Sequence, residues 1–163
     1  MSGDGGHIVK SFEQELARLG GLLARMGGLI ETQVALGAVA LLERDAAAAA
    51  RAVEMDPEVD LLEREVEQFV IRLLALRQPL AADLRRIVAA LKIAAAFERI
   101  GDYAVNVAKR SIVLSQYPAL SNLASIGAMA RMVQQNLKTV IEAVAASDPA
   151  KAIEVWHSDR LID

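Results

Sequence analysis

Glu98-Arg99-Ile100-Gly101-Asp102 sets two acids one helical turn apart on a helix face that ought to be apolar. The surrounding sequence predicts a helix over residues 83–110. At about 100° per residue its inward positions are Leu84, Val88, Leu91, Ala95, Glu98, Asp102 and Val105, all within an arc of roughly 100°. Both carboxylates fall near the middle of that arc. An ionised carboxylate without a partner is costly to bury, so something must compensate: a cation, a set of arginines, or a groove where the face is not buried at all. A cation held by acids from two helices is the sharpest of these readings.

A second motif supplies the other acids. Asp56-Pro57-Glu58-Val59-Asp60 repeats the same four-residue spacing, and helix positions so spaced have Cβ atoms roughly 5–6 Å apart. Two such pairs on facing helices can present Asp56, Asp60, Glu98 and Asp102 to one cation or a small cluster. Carboxylate-rich sites suit magnesium, calcium and manganese, with iron or zinc where carboxylates bridge. Asn106, one turn further along, can supply another oxygen or lie at the groove's edge. Asp56 and Asp60 taken alone read most simply as a solvated face, because they lie beside the apolar stripe of their helix. Glu98 and Asp102 interrupt theirs. Arg99 lies on the flank, as a surface or interface residue.

Working outward, residues 12–43 form a first helical stretch, with Gly20-Gly21 and Gly27-Gly28 seven apart on one face. Interior glycine costs about 1 kcal/mol against alanine, which points to a close helix–helix contact. Asp45 reads as an N-cap for the alanine run that follows. A second stretch reaches residue 77 with an apolar stripe at Val59, Leu62, Val66, Phe69, Val70 and Leu73. Pro57 either opens a new helix capped by Asp56 or kinks one long helix. Gln78-Pro79 ends the stretch. Beyond Tyr117-Pro118 a fourth helix spans residues 120–146, and Ser147-Asp148-Pro149 opens a fifth.

An internal repeat runs at an offset of 103 residues. Asp45, Asp56 and Asp60 match Asp148, Asp159 and Asp163; Val59 matches Ile162 and Met26 matches Met129. A three-helix unit is thus followed by the first part of a second copy. The expected organisation is a flexible lead-in over residues 1–10, a first bundle over 11–115, and an incomplete second unit over 116–163. Asp159 and Asp163 would begin an equivalent second acidic site. An incomplete bundle leaves an apolar face to cover, so a homodimer is expected.

Composition fits long, closely packed helices: the 163 residues are rich in alanine and only 4% aromatic. A net charge of −3 with no basic stripe in evidence argues against nucleic acid as the main partner. Without cysteine there are no thiolate metal sites, leaving oxygen ligands and the two histidines, His7 and His157. The apolar run over residues 34–42 is about half the roughly 20 residues of a membrane span, and the opening has no signal-peptide pattern. A cytoplasmic chain is expected. The Glu-x-x-His of ferritin-like oxidases is absent, because Gly101 follows three after Glu98. No phosphate-binding glycine loop or paired nucleophile and base is recognisable. The sequence does not point to an enzyme or an organic cofactor. His157 reads as a helix-surface residue and Trp156 as packed against the bundle.

These residues resemble the PhoU family of phosphate-transport regulators. The resemblance runs from Phe12 and Glu15-Leu16 through Asp56-x-x-Val59-Asp60 and Gln78-Pro79-x-x-x-Asp83-Leu84-Arg85. It continues through Glu98-Arg99-Ile100-Gly101-Asp102 with Asn106 to Asp159-Arg160-Leu161-Ile162-Asp163. It implies an all-α, PhoU-like repeat of antiparallel three-helix bundles, the second incomplete in this chain. It also implies a divalent or multinuclear metal (iron, zinc, manganese or magnesium), with a first site at Asp56, Asp60, Glu98 and Asp102. Pro57 departs from the usual residue inside the first motif. The implied role is negative regulation of the phosphate-starvation response and of phosphate uptake. The implied partners are the ATPase of the phosphate ABC transporter and the phosphate sensor histidine kinase. They would hold a cytoplasmic homodimer at the periphery of the inner membrane. A metal-binding or storage protein is the alternative.

Overall fold

The computed structural model describes residues 4–118 and 123–159, and among these every regular element is helical. The helices are α1 (Asp4–Leu42), α2 (Ala46–Glu54), α3 (Asp56–Arg77), α4 (Ala81–Leu114), α5 (Ala124–Ala146) and α6 (Pro149–Asp159). Helix α1 begins well ahead of residue 12, where the sequence places its start. Its long apolar stretch, Phe12–Leu42, is long and apolar enough to cross a membrane by length and composition. Here it is the central helix, packed against α2, α3, α4 and α5.

The core joins Leu19, Leu23, Met26 and Ile30 of α1 to the α3 stripe, to Ile87, Ala90, Ala94 and Phe97 of α4, and to Leu137 of α5. All six residues of the expected α3 stripe are buried, which fits a 3.6-residue period with charged residues on the other faces. A second, smaller cluster of Ala40, Ala48, Ala49, Ala52 and Ala108 lets α1, α2 and α4 approach closely. Gly37 lies in the same region: a Cβ there would stand 3.1 Å from the Ala104 carbonyl oxygen. Of the paired glycines, only Gly27 makes the expected close contact, against Ile141 of α5; Gly20, Gly21 and Gly28 face open space.

Helix ends follow the sequence signals. The Asp45 carboxylate accepts from the Ala47 and Ala48 amides at 2.8 and 3.0 Å. Asp148, its counterpart 103 residues on, accepts from the Ala150 and Lys151 amides at 2.9 and 3.3 Å. The repeat is therefore structural at the caps of α2 and α6. The break at Pro57 is a single residue, Met55, which closes α2 and precedes Asp56, so Asp56 is the first residue of α3 and not its cap. Gln78, in the left-handed region at φ 46°, turns the chain toward α4. Arg77 grips Glu15 through two hydrogen bonds of 2.7 and 3.0 Å, tying the end of α3 to α1. Arg44 donates to the carbonyl of Tyr117 at 2.6 Å just past α4, where helix carbonyls need donors.

Candidate acidic site across α3 and α4

The inward face of α4 is Ile87, Ala90, Ala94, Phe97, Gly101, Ala104, Val105 and Ala108. This corrects the face drawn from the sequence, which lies about one residue, or roughly 100°, away. Leu84 and Val88 are 40% and 38% exposed, Glu98 is half-buried and Asp102 exposed. In an alanine-rich helix the apolar pattern is nearly even around the axis. The desolvation cost of two carboxylates then decides which face turns inward. Glu98 and Asp102 therefore lie on a face of α4 that is not fully buried.

Gly101, between the two acids, is buried where α1 passes behind them. A Cβ there would lie 2.8 Å from both Gln33 Oε1 and Ile30 Cδ1. Gln33 is wholly buried; its Nε2 donates to the Ala52 carbonyl at 3.1 Å, and its Oε1 has no hydrogen-bond partner. Gln33 also favours the charged form of the neighbouring Asp56 carboxyl. One buried amide thus backs both acidic motifs.

The acids act on one another. Burial raises the Asp56 carboxyl above its ordinary value, and the charges of Asp60 and Asp102 add to the rise; Lys109 and the Gln33 hydrogen bond oppose it. Glu98 is raised first by burial, then by Asp102, Glu63 and Asp60, with a hydrogen bond shared with Asp102. Glu63 is raised by burial, Glu67 and Asp60, and more weakly by Asp102. The charges of Asp56, Asp60, Glu98 and Asp102 thus act within one electrostatic group. Glu63, which the sequence reading missed, belongs to it as well. Glu63 stands seven residues after Asp56 and three after Asp60, positions that share a helix face.

Hard oxygen donors are the right chemistry for a divalent cation. Among the described residues, however, no three His, Cys, Asp or Glu side chains converge as a ready ligand shell. Asn106 is exposed. Asp159 ends α6 and its side chain is not described; Asp163 lies outside the described residues. His157 is exposed, as expected. Trp156 is 71% exposed and stacks on His157 at 5.8 Å, correcting the expectation that it packs against the bundle.

Three comparisons bear on this architecture. The family model for the PhoU domain matches residues 23–111. The phosphate-specific transport system accessory protein PhoU homolog of Caulobacter vibrioides is 45% identical, over 96% of this chain and 69% of that protein. The homolog in Zymomonas mobilis is 40% identical over 97% and 67%. The crystal structure of PhoU from Pseudomonas aeruginosa superposes with a TM-score of 0.90 at 33% identity, covering 92% of this chain and 72% of that one.

Proposed function

This chain belongs to the PhoU family, and on that footing we propose that it is a non-catalytic negative regulator of the phosphate-starvation response and of phosphate uptake. It works through contacts with the ATPase of the phosphate ABC transporter and with the phosphate sensor histidine kinase, in the cytoplasm beside the inner membrane. The observation that carries the reading is the similarity of almost the whole chain to accessory proteins of phosphate-specific transport. The surface supports it. An apolar groove of about 310 Å³ lies between α1, α4 and α5, lined by Val34, Leu41, Ile100, Val107, Ile126 and Met129. Grooves of this kind suit protein contacts, including a second copy of the chain. Phosphate uptake in phosphate-replete cells tests the regulatory role: uptake rises when the gene is deleted and falls when it is restored. Equal uptake in all three strains would refute it.

The charges of Asp60 and Asp102 act against Asp56, Glu63 and Glu98 alike, which favours a second property, binding of a divalent or multinuclear metal at Asp56, Asp60, Glu98 and Asp102. A bound cation would neutralise charge that these residues otherwise hold against one another. Elemental analysis beside Glu98→Gln and Asp102→Asn variants tests it. Stoichiometric metal lost in the variants supports the site, and equal trace metal in all three samples removes it.

A further inference from the structure

The turn between α3 and α4 breaks the rules of a water-facing turn. Leu80 stands at the N-cap of α4 and makes no capping hydrogen bond. Polar residues are preferred there, and α2 and α6 use aspartate. Gln78 and Ala81, on either side of Pro79-Leu80, both hold the left-handed conformation without being glycine, at φ 46° and 43°. Leu80 is 81% exposed and Leu76, in the last turn of α3, 71%. Leu84, in the first turn of α4, is exposed as well. Strain and exposed leucines that no contact within the chain repays mark a surface shaped for something outside it.

Charge is divided along the same hairpin. From Gln68 to Phe97 it carries five cations, Arg72, Arg77, Arg85, Arg86 and Lys92, against one acid, Asp83. The opposite end of α3, from Asp56 to Glu67, carries six acids against one cation, with Glu98 and Asp102 facing it from α4. Of the two acids at the adjoining end of α1, Glu15 is taken by Arg77 and Glu13 is exposed. Arg72, Arg85 and Arg86 are exposed and make no ion pair among the described residues. The net charge of −3 conceals this polarity, because the two ends of the hairpin cancel.

The two features are layered. Arg72 lies five residues before the end of α3, and Arg85 and Arg86 four and five residues into α4. At about 1.5 Å per residue, the guanidinium-bearing positions stand roughly 6–8 Å behind the turn. An anionic bilayer presents the matching order, hydrocarbon first and headgroup charge behind it, and surface-bound elements sink about 5–10 Å into that boundary. A partner protein's groove would ask instead for apolar residues along one helix face. Leu76, Leu80 and Leu84 are spread over two antiparallel helices and the turn between them. We propose that the α3–α4 turn is a lipid contact: its leucines enter the surface of an anionic phospholipid bilayer, with Arg72, Arg85 and Arg86 on the headgroups. The acidic end of the hairpin is repelled by the same surface and is held away from it. This deepens the regulatory reading, which puts the chain beside the inner membrane, and rests on it for its biological role.

The test uses the whole chain with vesicles of phosphatidylglycerol, an anionic phospholipid, and of neutral phosphatidylcholine. Sedimentation is expected to show about tenfold or more tighter binding to the anionic vesicles, weakening as salt screens the attraction. The combined Arg72→Gln, Arg85→Gln and Arg86→Gln variant should lose that preference. Leu80→Ser should weaken binding about tenfold. It also supplies a capping side chain, so its melting temperature should hold or rise, which separates lost binding from lost folding. The chain has no cysteine, so Leu80→Cys and Glu54→Cys variants each accept one environment-sensitive fluorophore. The label at position 80 should shift to the blue on anionic vesicles; the label at position 54, beside the start of α3, should not. No binding to anionic vesicles, equal binding to both kinds, a silent label at position 80, or tighter binding to a polyglutamate peptide than to vesicles overturns the proposal. If gene deletion leaves phosphate uptake unchanged, the regulatory reading falls, while the vesicle result still decides the lipid contact.

Discussion

Gln33 and Gly101 meet where α1 crosses α4, so closely that a Cβ on the glycine would stand 2.8 Å from Gln33 Oε1 and equally close to Ile30 Cδ1. Replacing an interior helical glycine by alanine ordinarily stabilises by about 1 kcal/mol. Here the methyl would push into two fully buried side chains, and such overpacking costs about 1–3 kcal/mol. Gly101→Ala is therefore expected to lower stability, read as a reduced melting temperature by circular dichroism. An increase would show that α1 and α4 are not in such close contact.

Gly20 is the counterexample on α1. With nothing within 4 Å of its Cβ position, Gly20→Ala should gain helix propensity without a clash and stabilise by up to about 1 kcal/mol. Chemical denaturation of the two glycine variants side by side should give opposite signs. Matching signs would refute the packing described.

Asp45 and Asp148 cap α2 and α6 by the same pair of hydrogen bonds. Asp45→Ala should cost about 1 kcal/mol, the usual worth of an N-cap. Asp45→Asn, which keeps the acceptor oxygen, should cost much less. Equal losses from both would mean that charge, and not the cap, is what matters at this position.

The acidic group makes stability depend on pH. Asp56, Glu63 and Glu98 bind protons more tightly folded than unfolded, because burial and neighbouring acids raise them above their ordinary values of 3.8, 4.5 and 4.5. The stability this confers is complete below those ordinary values and is lost as the pH rises through the raised ones. The melting temperature should thus carry a contribution that falls as the pH rises above about 4. Glu98→Gln removes one source of repulsion, so it should flatten that fall and raise the melting temperature at neutral pH. A steeper fall would mean that the carboxylates are stabilised by partners and not set against one another.

Much of this was legible in the sequence, and the misses share a cause. The α3 stripe from Val59 to Leu73 is large and apolar against charged neighbours, so its inward face is unambiguous. Helix α4 has alanines nearly all round. Leu84, Val88 and Leu91 competed on equal terms with Ile87, Ala90 and Ala94, and the rotation is settled by the cost of burying Glu98 and Asp102 together with the close contact of Gly101 with Ile30 and Gln33 of α1. The Glu98 and Asp102 spacing was legible, but their side was not. Asp45 was legible as a cap because capping is local. Contacts such as Gly37 against the Ala104 carbonyl and Gly101 against Gln33 join residues distant in sequence, and no local pattern announces them.

The central claim, that this chain holds the phosphate-starvation response in check, is tested most directly by alkaline-phosphatase output in phosphate-rich medium. The comparison is among the parent strain, a deletion, and the deletion with the gene restored. High output on deletion, repressed again on restoration, is the expected result. Output that stays low after deletion would contradict the claim.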